Sequence, residues 1–162
     1  QDWQLKEALF LQEHALKGME RELGPTHPRT LACLNSMATL LVAMGKLKEA
    51  TPHQWRALEC RERTLGPKHP DTLESLHSLA LLMLATGEYE EALPLQRQAL
   101  MLRETVLGVS HPVTLRSLDA LAVLLHAMGQ HLEAEQLARR AQQERTSVLG
   151  AKHPDTLQSL DH

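Results

Sequence analysis

Apolar side chains recur along this chain at spacings of three and four residues, which predicts amphipathic α-helices. The segment from Thr72 to Gly87 shows the pattern clearly. Glycine accepts the left-handed backbone that often ends a helix, so we expect a first helix, helix A, to end near Gly87. Its apolar positions form one broad stripe on the helix surface: Leu73, Leu76, Leu79, Ala80, Met83 and Leu84.

A second amphipathic stretch follows at once and predicts a longer helix B that ends at Gly108. Two helices joined by a short turn pack antiparallel, and alanine at their crossing point lets the backbones approach closely. Neither helix can bury its apolar stripe alone, so neighbouring pairs must supply the other wall of a continuous core. The apolar side of helix B consists of Ala92, Leu95, Ala99, Leu102 and Leu107.

The helix pair recurs with a fixed period of 42 residues. A period of roughly 20–50 residues indicates an array of stacked units rather than one globular core. We therefore predict one array over residues 1–162 and expect it to be a piece of a longer array. Its parts are a partial unit at 1–29 (helix B and linker), full units at 30–71, 72–113 and 114–155, and the start of a truncated unit at 156–162. The linker Leu-Gly-x-x-His-Pro begins at Leu23, Leu65, Leu107 and Leu149.

The recurring linker histidines raise the question of a metal site. Stacked units place equivalent side chains on the order of 10 Å apart, and no Cys or carboxylate recurs beside them at zinc-ligand spacing. Proline is favoured in the first turn of a helix, where its missing N–H costs nothing. We therefore predict that the His-Pro element starts helix A and that no metal is bound. The four histidines are His27, His69, His111 and His153.

Two further prolines, Pro52 and Pro94, fall within the first two turns of helix B. Proline inside a helix costs about 3 kcal/mol, whereas the first turn tolerates it. We therefore expect helix B to start late and slightly bent at these residues; a functional hinge is the alternative.

Composition narrows the functional classes. The net charge of −3 and an aromatic content of 2% give no general attraction to nucleic acid and few base-stacking side chains. No apolar run approaches the roughly 20 residues that cross a bilayer, so no membrane insertion is expected. Cys33 and Cys60 are too few for a disulfide framework, which favours a reducing, cytoplasmic setting.

The helix pairs resemble the tetratricopeptide repeat. Segments such as LNSMATLLVAMGKLKEA and LHSLALLMLATGEYEEA carry the resemblance, and the 42-residue period with its Leu-Gly-x-x-His-Pro linker is similar to the kinesin light chain and nephrocystin-like subgroup. The resemblance implies an all-α, right-handed superhelical solenoid of antiparallel helix pairs. It also implies a protein–protein interaction scaffold in which helix A of each unit lines a concave groove that binds a peptide or helical segment of a protein partner.

On that placement the groove presents polar side chains that read a peptide and aliphatic ones that form shallow pockets. Framework positions repeat, whereas one row varies between units as Asn35, His77 and Asp119. Such variation suits a binding surface, but drift on a solvated helix face gives the same pattern, and both interpretations stay open. The full set is Asn35, Ser36, Thr39, Val42, Glu74, His77, Ser78, Leu81, Leu84, Arg116, Asp119, Val123 and His126.

Two other functional classes are alternatives to the scaffold. In the first, the partial unit leaves helix B with an exposed apolar face of Leu5, Leu9, Phe10 and Leu16, which predicts weak self-association or array stacking within a larger signalling or adaptor protein. In the second, catalysis, Asp119 and His126 share a helix face, but no nucleophile or phosphate-binding loop accompanies them. We therefore expect no enzymatic activity and no cofactor.

Overall fold

The computed structural model describes the backbone of residues 2–149 and the side chains of residues 3–147. Within this range the chain forms seven α-helices and no strand, which confirms the predicted all-α class. Helices A are α2, α4 and α6, and helices B are α1, α3, α5 and α7. The fourth linker, with His153 and Pro154, lies outside the described residues. The helices are α1 Asp2–Leu23, α2 Pro28–Ala43, α3 Leu47–Leu65, α4 Pro70–Thr86, α5 Tyr89–Leu107, α6 Pro112–Ala127 and α7 His131–Leu149.

The helices belong to two compact units, one ending at Thr86 and one beginning at Gly87. The first contains α1 to α4 and the second contains α5 to α7. Within each unit every helix packs against the next helix along the chain. The predicted extent of the array, residues 1–162, stays a prediction.

Small and large apolar side chains share the core of the first unit as the sequence pattern predicts. Ala38 on α2 and Ala50 and Ala57 on α3 are completely buried, so they mark the points where the helices come closest. The larger side chains fill the space beside them, and Leu82 of α4 joins the same cluster. The buried leucines and methionine of α2 are Leu31, Leu34, Met37 and Leu41.

The turn between helices A and B is closed by glycine. After α2, the N–H of Gly45 donates to the carbonyl of Val42 and the N–H of Lys46 to the carbonyl of Leu41, both at 2.9 Å. Gly45 has φ +73°, the left-handed conformation that this type of helix ending requires. The turn after α6 repeats the arrangement, so the turn glycines end helix A as predicted.

The linker histidines cap the helices that follow them. His27 precedes α2, and its Nδ1 accepts a hydrogen bond of 3.2 Å from the backbone N–H of Arg29. His69 and His111 accept equivalent bonds of 3.2 Å from the second helical residue of α4 and α6. Such a bond satisfies a backbone donor that the helix leaves unpaired. The structural role predicted for the His-Pro element is therefore visible in all three described linkers.

The expectation of a late start for helix B is wrong. α3 begins at Leu47 and α5 at Tyr89, so Pro52 and Pro94 lie inside regular helices. Both prolines are exposed, which leaves room for the ring on the outer side of the helix. Packing of the alanine stripe on either side holds the segment helical despite the missing N–H, because tertiary burial overrides local propensity.

Candidate partner-binding surface

The first unit carries nine of the predicted groove residues, on α2 and α4. These helices turn their leucine stripe inward, and the opposite side meets solvent. Exposed on that side are Ser36, Thr39, Val42, Glu74 and Leu81, while Asn35, Ser78 and Leu84 are half-buried. We call the exposed and half-buried members of this set the A-face of the first unit.

Two aliphatic side chains of the A-face are exposed. Val42 is 42% exposed and Leu81 is 40% exposed, although every core leucine of the same helices is almost fully buried. Burying apolar surface yields about 25 cal/mol per Å², so covering these side chains would be favourable. Around them the hydroxyls of Thr39 and Ser36 provide hydrogen-bonding groups.

The second unit presents its own A-face on α6. Arg116, Val123 and His126 are exposed, and Asp119 is half-buried. Val123 is 47% exposed and stands one period after Leu81. The same position of helix A therefore carries an exposed aliphatic side chain in two successive 42-residue repeats.

The row that varies between repeats, Asn35, His77 and Asp119, is less exposed to solvent than we expected for a groove. His77 is only 9% exposed, so it lies among packed side chains instead of facing solvent. Asp119 is held by both terminal nitrogens of Arg145 on α7, with Nη1 3.2 Å from one carboxylate oxygen. We expected these side chains to face a ligand; the structure instead engages them within the chain, because a helix position beside the leucine stripe is reached by the neighbouring helix.

Sequence reasoning missed a polar layer between consecutive helices. Arginine recurs with the 42-residue period at Arg61, Arg103 and Arg145, and serine recurs at Ser75 and Ser117. Arg61 Nη1 donates to the hydroxyl of Ser75, and Arg103 Nη1 donates to that of Ser117 at 2.7 Å. The period itself was the available signal, since a charged residue that repeats like a core leucine serves the packing.

Glutamine takes part in the same layer. Gln96 is buried on α5, and its Nε2 donates to the backbone carbonyl of Ser117 at 3.1 Å. Gln12 occupies the equivalent position on α1, where its Oε1 accepts from the Cys33 thiol at 3.1 Å. Hydrogen bonds of glutamine therefore contribute to the contact between consecutive helices in both units.

The pKa values of two side chains in the first unit, Cys33 and His53, are shifted from their ordinary values. Burial raises the pKa of the Cys33 thiol, and the carboxylate of Glu20 adds to the effect. Burial lowers the pKa of His53, and the nearby Arg56 guanidinium lowers it further, against the opposing pull of Glu13 and Glu20. Cys33 therefore stays a thiol and behaves as a small apolar filler.

Comparison with known families decides the class. The tetratricopeptide repeat model matches residues 4–54, 37–105 and 82–143, so the matches together cover most of the chain. This chain belongs to the tetratricopeptide repeat family. Tetratricopeptide repeats mediate protein–protein interaction, and they are typically scaffolds without catalytic activity.

This tetratricopeptide repeat protein is similar to solved structures of kinesin light chain-like arrays. It is similar to a kinesin light chain-like protein of Podosopora anserina with nearly identical TPR-like repeats, at 31% identity and a TM-score of 0.87, covering 98% of this chain and 75% of that one. A variant of that protein gives the same identity and coverage with a TM-score of 0.89.

A more distant structure, BtubC (BKLC) from P. vanneervenii, is 20% identical, with a TM-score of 0.81 over 93% of this chain and 60% of that one; it supports the fold alone. A search of the curated proteins finds no match.

Proposed function

We propose that this protein is a non-catalytic scaffold that binds a peptide or helical segment of a protein partner on the A-faces of its units. Hydrophobic contact supplies most of the affinity, and the hydroxyl and charged side chains select the sequence. The membership of the family supports the class of function. The exposure of Leu81 and Val123 at one repeated position supports the choice of face.

These two residues carry the proposal because the fold does not require them to be apolar. The equivalent position of the first full unit holds Thr39, which is exposed there. A polar residue is thus compatible with this position of helix A. Exposed aliphatic side chains there favour an occupant with apolar anchors, and such anchors dominate the energetics of peptide recognition.

The test is selection of peptides from a displayed random library, followed by affinity measurement on single variants. A selected peptide that binds the first compact unit should be weakened at least about tenfold by Leu81→Ser, and one that binds the second by Val123→Ser, because a central apolar contact is worth more than about 1.4 kcal/mol. Leu132→Ser is the matched control, since Leu132 is an aliphatic residue of helix B that is 73% exposed.

The control separates the A-face from the rest of the surface. If Leu132→Ser weakens binding while Leu81→Ser and Val123→Ser do not, the peptide binds on helix B and the proposal is wrong. Circular dichroism should show the same helix content for all three variants, because none of these side chains belongs to the core. Asp119→Ala tests whether Asp119 contacts the peptide or only stabilises the fold through its ion pair with Arg145. Loss of stability without loss of peptide affinity would show that its role is structural.

Self-association is a second candidate, favoured by the outer side of α1. Trp3, Phe10 and Leu11 are all exposed there, at 64%, 67% and 60%, and Trp3 and Phe10 share one helix face two turns apart. The composition of this patch differs from the expected one. Leu16 is buried against α2, and Leu9 packs beside it. Leu5 is half-buried, so Phe10 is the fully exposed member of the predicted set.

Light scattering over a concentration range tests this second candidate. Association that rises with concentration and disappears in the Phe10→Ser variant supports it. A wild-type chain that stays monomeric at high concentration contradicts it. Neither outcome changes the interpretation of the peptide experiment, because the A-face residues lie on α2, α4 and α6 and not on α1.

We also propose a reducing, cytoplasmic location. Cys33 and Cys60 are both buried and form no disulfide. A reducing compartment keeps such thiols reduced. None of the described helices is long and apolar enough to span a membrane. Fractionation with an antibody against the chain would test the location, and recovery in an oxidising compartment would contradict it.

A further inference from the structure

Two histidines meet at the turn between α6 and α7. The Nδ1 atoms of His126 and His131 are 3.1 Å apart, and the two rings are 4.6 Å apart between centroids at an interplanar angle of 64°. Both side chains are exposed. A metal ion can therefore reach the pair from solvent without any change in the core.

The scaffold does not need histidine at either position. One and two periods earlier, the position of His126 holds Leu84 and Val42. The position of His131 holds Tyr89 and Leu47 in the same units. Because other residues serve the fold equally well there, this pair is a local property of the third full unit, unlike the linker histidines that cap every helix A.

The backbone of the turn fixes the spacing of the pair. The N–H of Gly129 donates to the carbonyl of His126 at 3.0 Å, and the N–H of Gln130 donates to the carbonyl of Leu125 at 2.8 Å. Gly129 has φ +77°, which glycine adopts without strain. These bonds join the end of α6 to the start of α7, so His126 and His131 stand at the two ends of one short turn, and their imidazoles are already in contact.

We propose that His126 and His131 form a bidentate site for a transition-metal dication of the Ni²⁺ or Zn²⁺ class. With metal–nitrogen distances of about 2.0–2.1 Å, two nitrogens at this separation subtend an angle of about 95–100° at the metal. That angle is close to the value between neighbouring ligands of Ni²⁺ and Cu²⁺, metals that imidazole binds well. Rotation of the exposed rings about χ2, a torsion that is broad in histidine, would turn both lone pairs from each other toward the ion.

Metal binding requires one proton of the histidine pair to move. In the metal-free pair one Nδ1–H donates to the lone pair of the other Nδ1. When the metal binds, that proton moves through solvent to Nε2 of the same ring, and two neutral imidazoles coordinate the ion. Water completes the coordination shell, because among the described residues no group of three or more His, Cys, Asp or Glu side chains gathers around one point. A site with two protein ligands is open and leaves positions for groups of a partner.

The experiment is isothermal titration of the full chain with Ni²⁺ in mildly alkaline buffer, where neutral imidazole is available. We expect one ion per chain. His126→Val and His131→Leu, which install the residues of the first full unit, should each weaken binding at least about tenfold, since even loss of a supporting contact to a metal ligand costs 10–100-fold. His14→Ala, at an exposed position of α1, should retain the wild-type affinity.

Thermal unfolding gives a second readout. Ni²⁺ should raise the melting temperature of the wild type, because a ligand that binds the folded chain stabilises it, and should leave that of the His126→Val, His131→Leu double variant unchanged. The proposal is overturned if the wild type binds no Ni²⁺ or if the double variant binds it with wild-type affinity. It is equally overturned if His14→Ala weakens binding as much as the paired substitutions do.

Discussion

Arg103 on α5 donates a hydrogen bond of 2.7 Å from Nη1 to the hydroxyl of Ser117 on α6. Arg103 is 1% exposed and Ser117 is completely buried. A guanidinium is expensive to remove from water unless its donors are satisfied, so this bond binds helix B of one repeat to helix A of the next at a defined register. Arg61 and Ser75 repeat the arrangement one period earlier.

Removal of the serine hydroxyl should therefore destabilise the second unit. Ser117→Ala is expected to lower the free energy of unfolding by about 1.5–3 kcal/mol, the range for a hydrogen bond to a charged group. Urea denaturation followed by circular dichroism measures the change. Thr105→Ala is the matched control because its hydroxyl bonds to the carbonyl of Met101 on the exposed side of α5, and it should change stability by less than about 0.5 kcal/mol. Equal stability of the Ser117→Ala variant and the wild type would contradict the role of the pair.

The capping bond of His111 leads to a second prediction. Its Nδ1 accepts from the N–H of Val113 at 3.2 Å, so His111→Ala leaves one donor at the start of α6 without its protein acceptor. We expect a loss of about 0.5–2 kcal/mol, as for other helix caps. His111→Asn should recover most of the stability, since asparagine is a preferred cap. Chemical denaturation of both variants checks this, and failure of asparagine to improve on alanine would argue that the imidazole contributes by packing instead.

A third prediction compares a glycine inside a helix, Gly18, with a glycine of positive φ at a helix end, Gly108. Gly18 lies inside α1 and has no atom within 4 Å of the position a Cβ would take, so Gly18→Ala should stabilise the chain by about 0.5–1 kcal/mol. Gly108 ends α5 with φ 94° and ψ 159°, a conformation that is essentially restricted to glycine. Gly108→Ala should cost about 1–3 kcal/mol.

Melting temperatures of the two glycine variants should therefore move in opposite directions. A destabilised Gly18→Ala variant would contradict the open space at α1. An unchanged Gly108→Ala variant would show that the linker after α5 can adopt another conformation.

The sequence predicted the framework well because repetition and periodicity are strong local signals. The leucine stripes, the alanine crossings and the glycine turns each recur with the period, and each is found where the pattern puts it. Pro52 and Pro94 depart from the prediction because the burial of the alanines on either side outweighs the preference of an isolated proline. The structural role predicted for the linker histidines is confirmed at His27, His69 and His111.

The surface was harder to predict, because exposure depends on which neighbour reaches a side chain. Asp119 shares the helical position of Asn35 and His77, yet its contact with Arg145 depends on the adjacent helix. His77 was expected in a groove and is buried by packing that no local pattern reveals. The pair of His126 and His131 needs the geometry of a turn, since five residues of sequence separation do not place two rings in contact by themselves.

A fourth prediction concerns pH. His53 on α3 is partly buried, and burial, followed by the charge of Arg56, lowers its pKa below the ordinary value of 6.5, while Glu13 and Glu20 on α1 act in the opposite sense. Arg56 is itself paired with Glu20 at 2.5 Å, so one of the two carboxylates that act on the imidazole already has a cationic partner. His53 is therefore neutral in the folded chain at a pH where the unfolded chain begins to bind a proton.

As the pH falls from the ordinary value of 6.5 to the lower pKa of the folded state, the unfolded chain holds more protons at this residue than the folded chain does. Stability is therefore complete above this window and decreases through it. His53→Gln removes the titrating group, so the free energy of unfolding of this variant should decrease less steeply over the same interval, whereas above the window the two curves should run parallel. Urea denaturation at a series of pH values measures both curves. An equal decrease in the variant and the wild type through the window would show that other groups carry the acid sensitivity and that the imidazole of His53 is charged equally in both states.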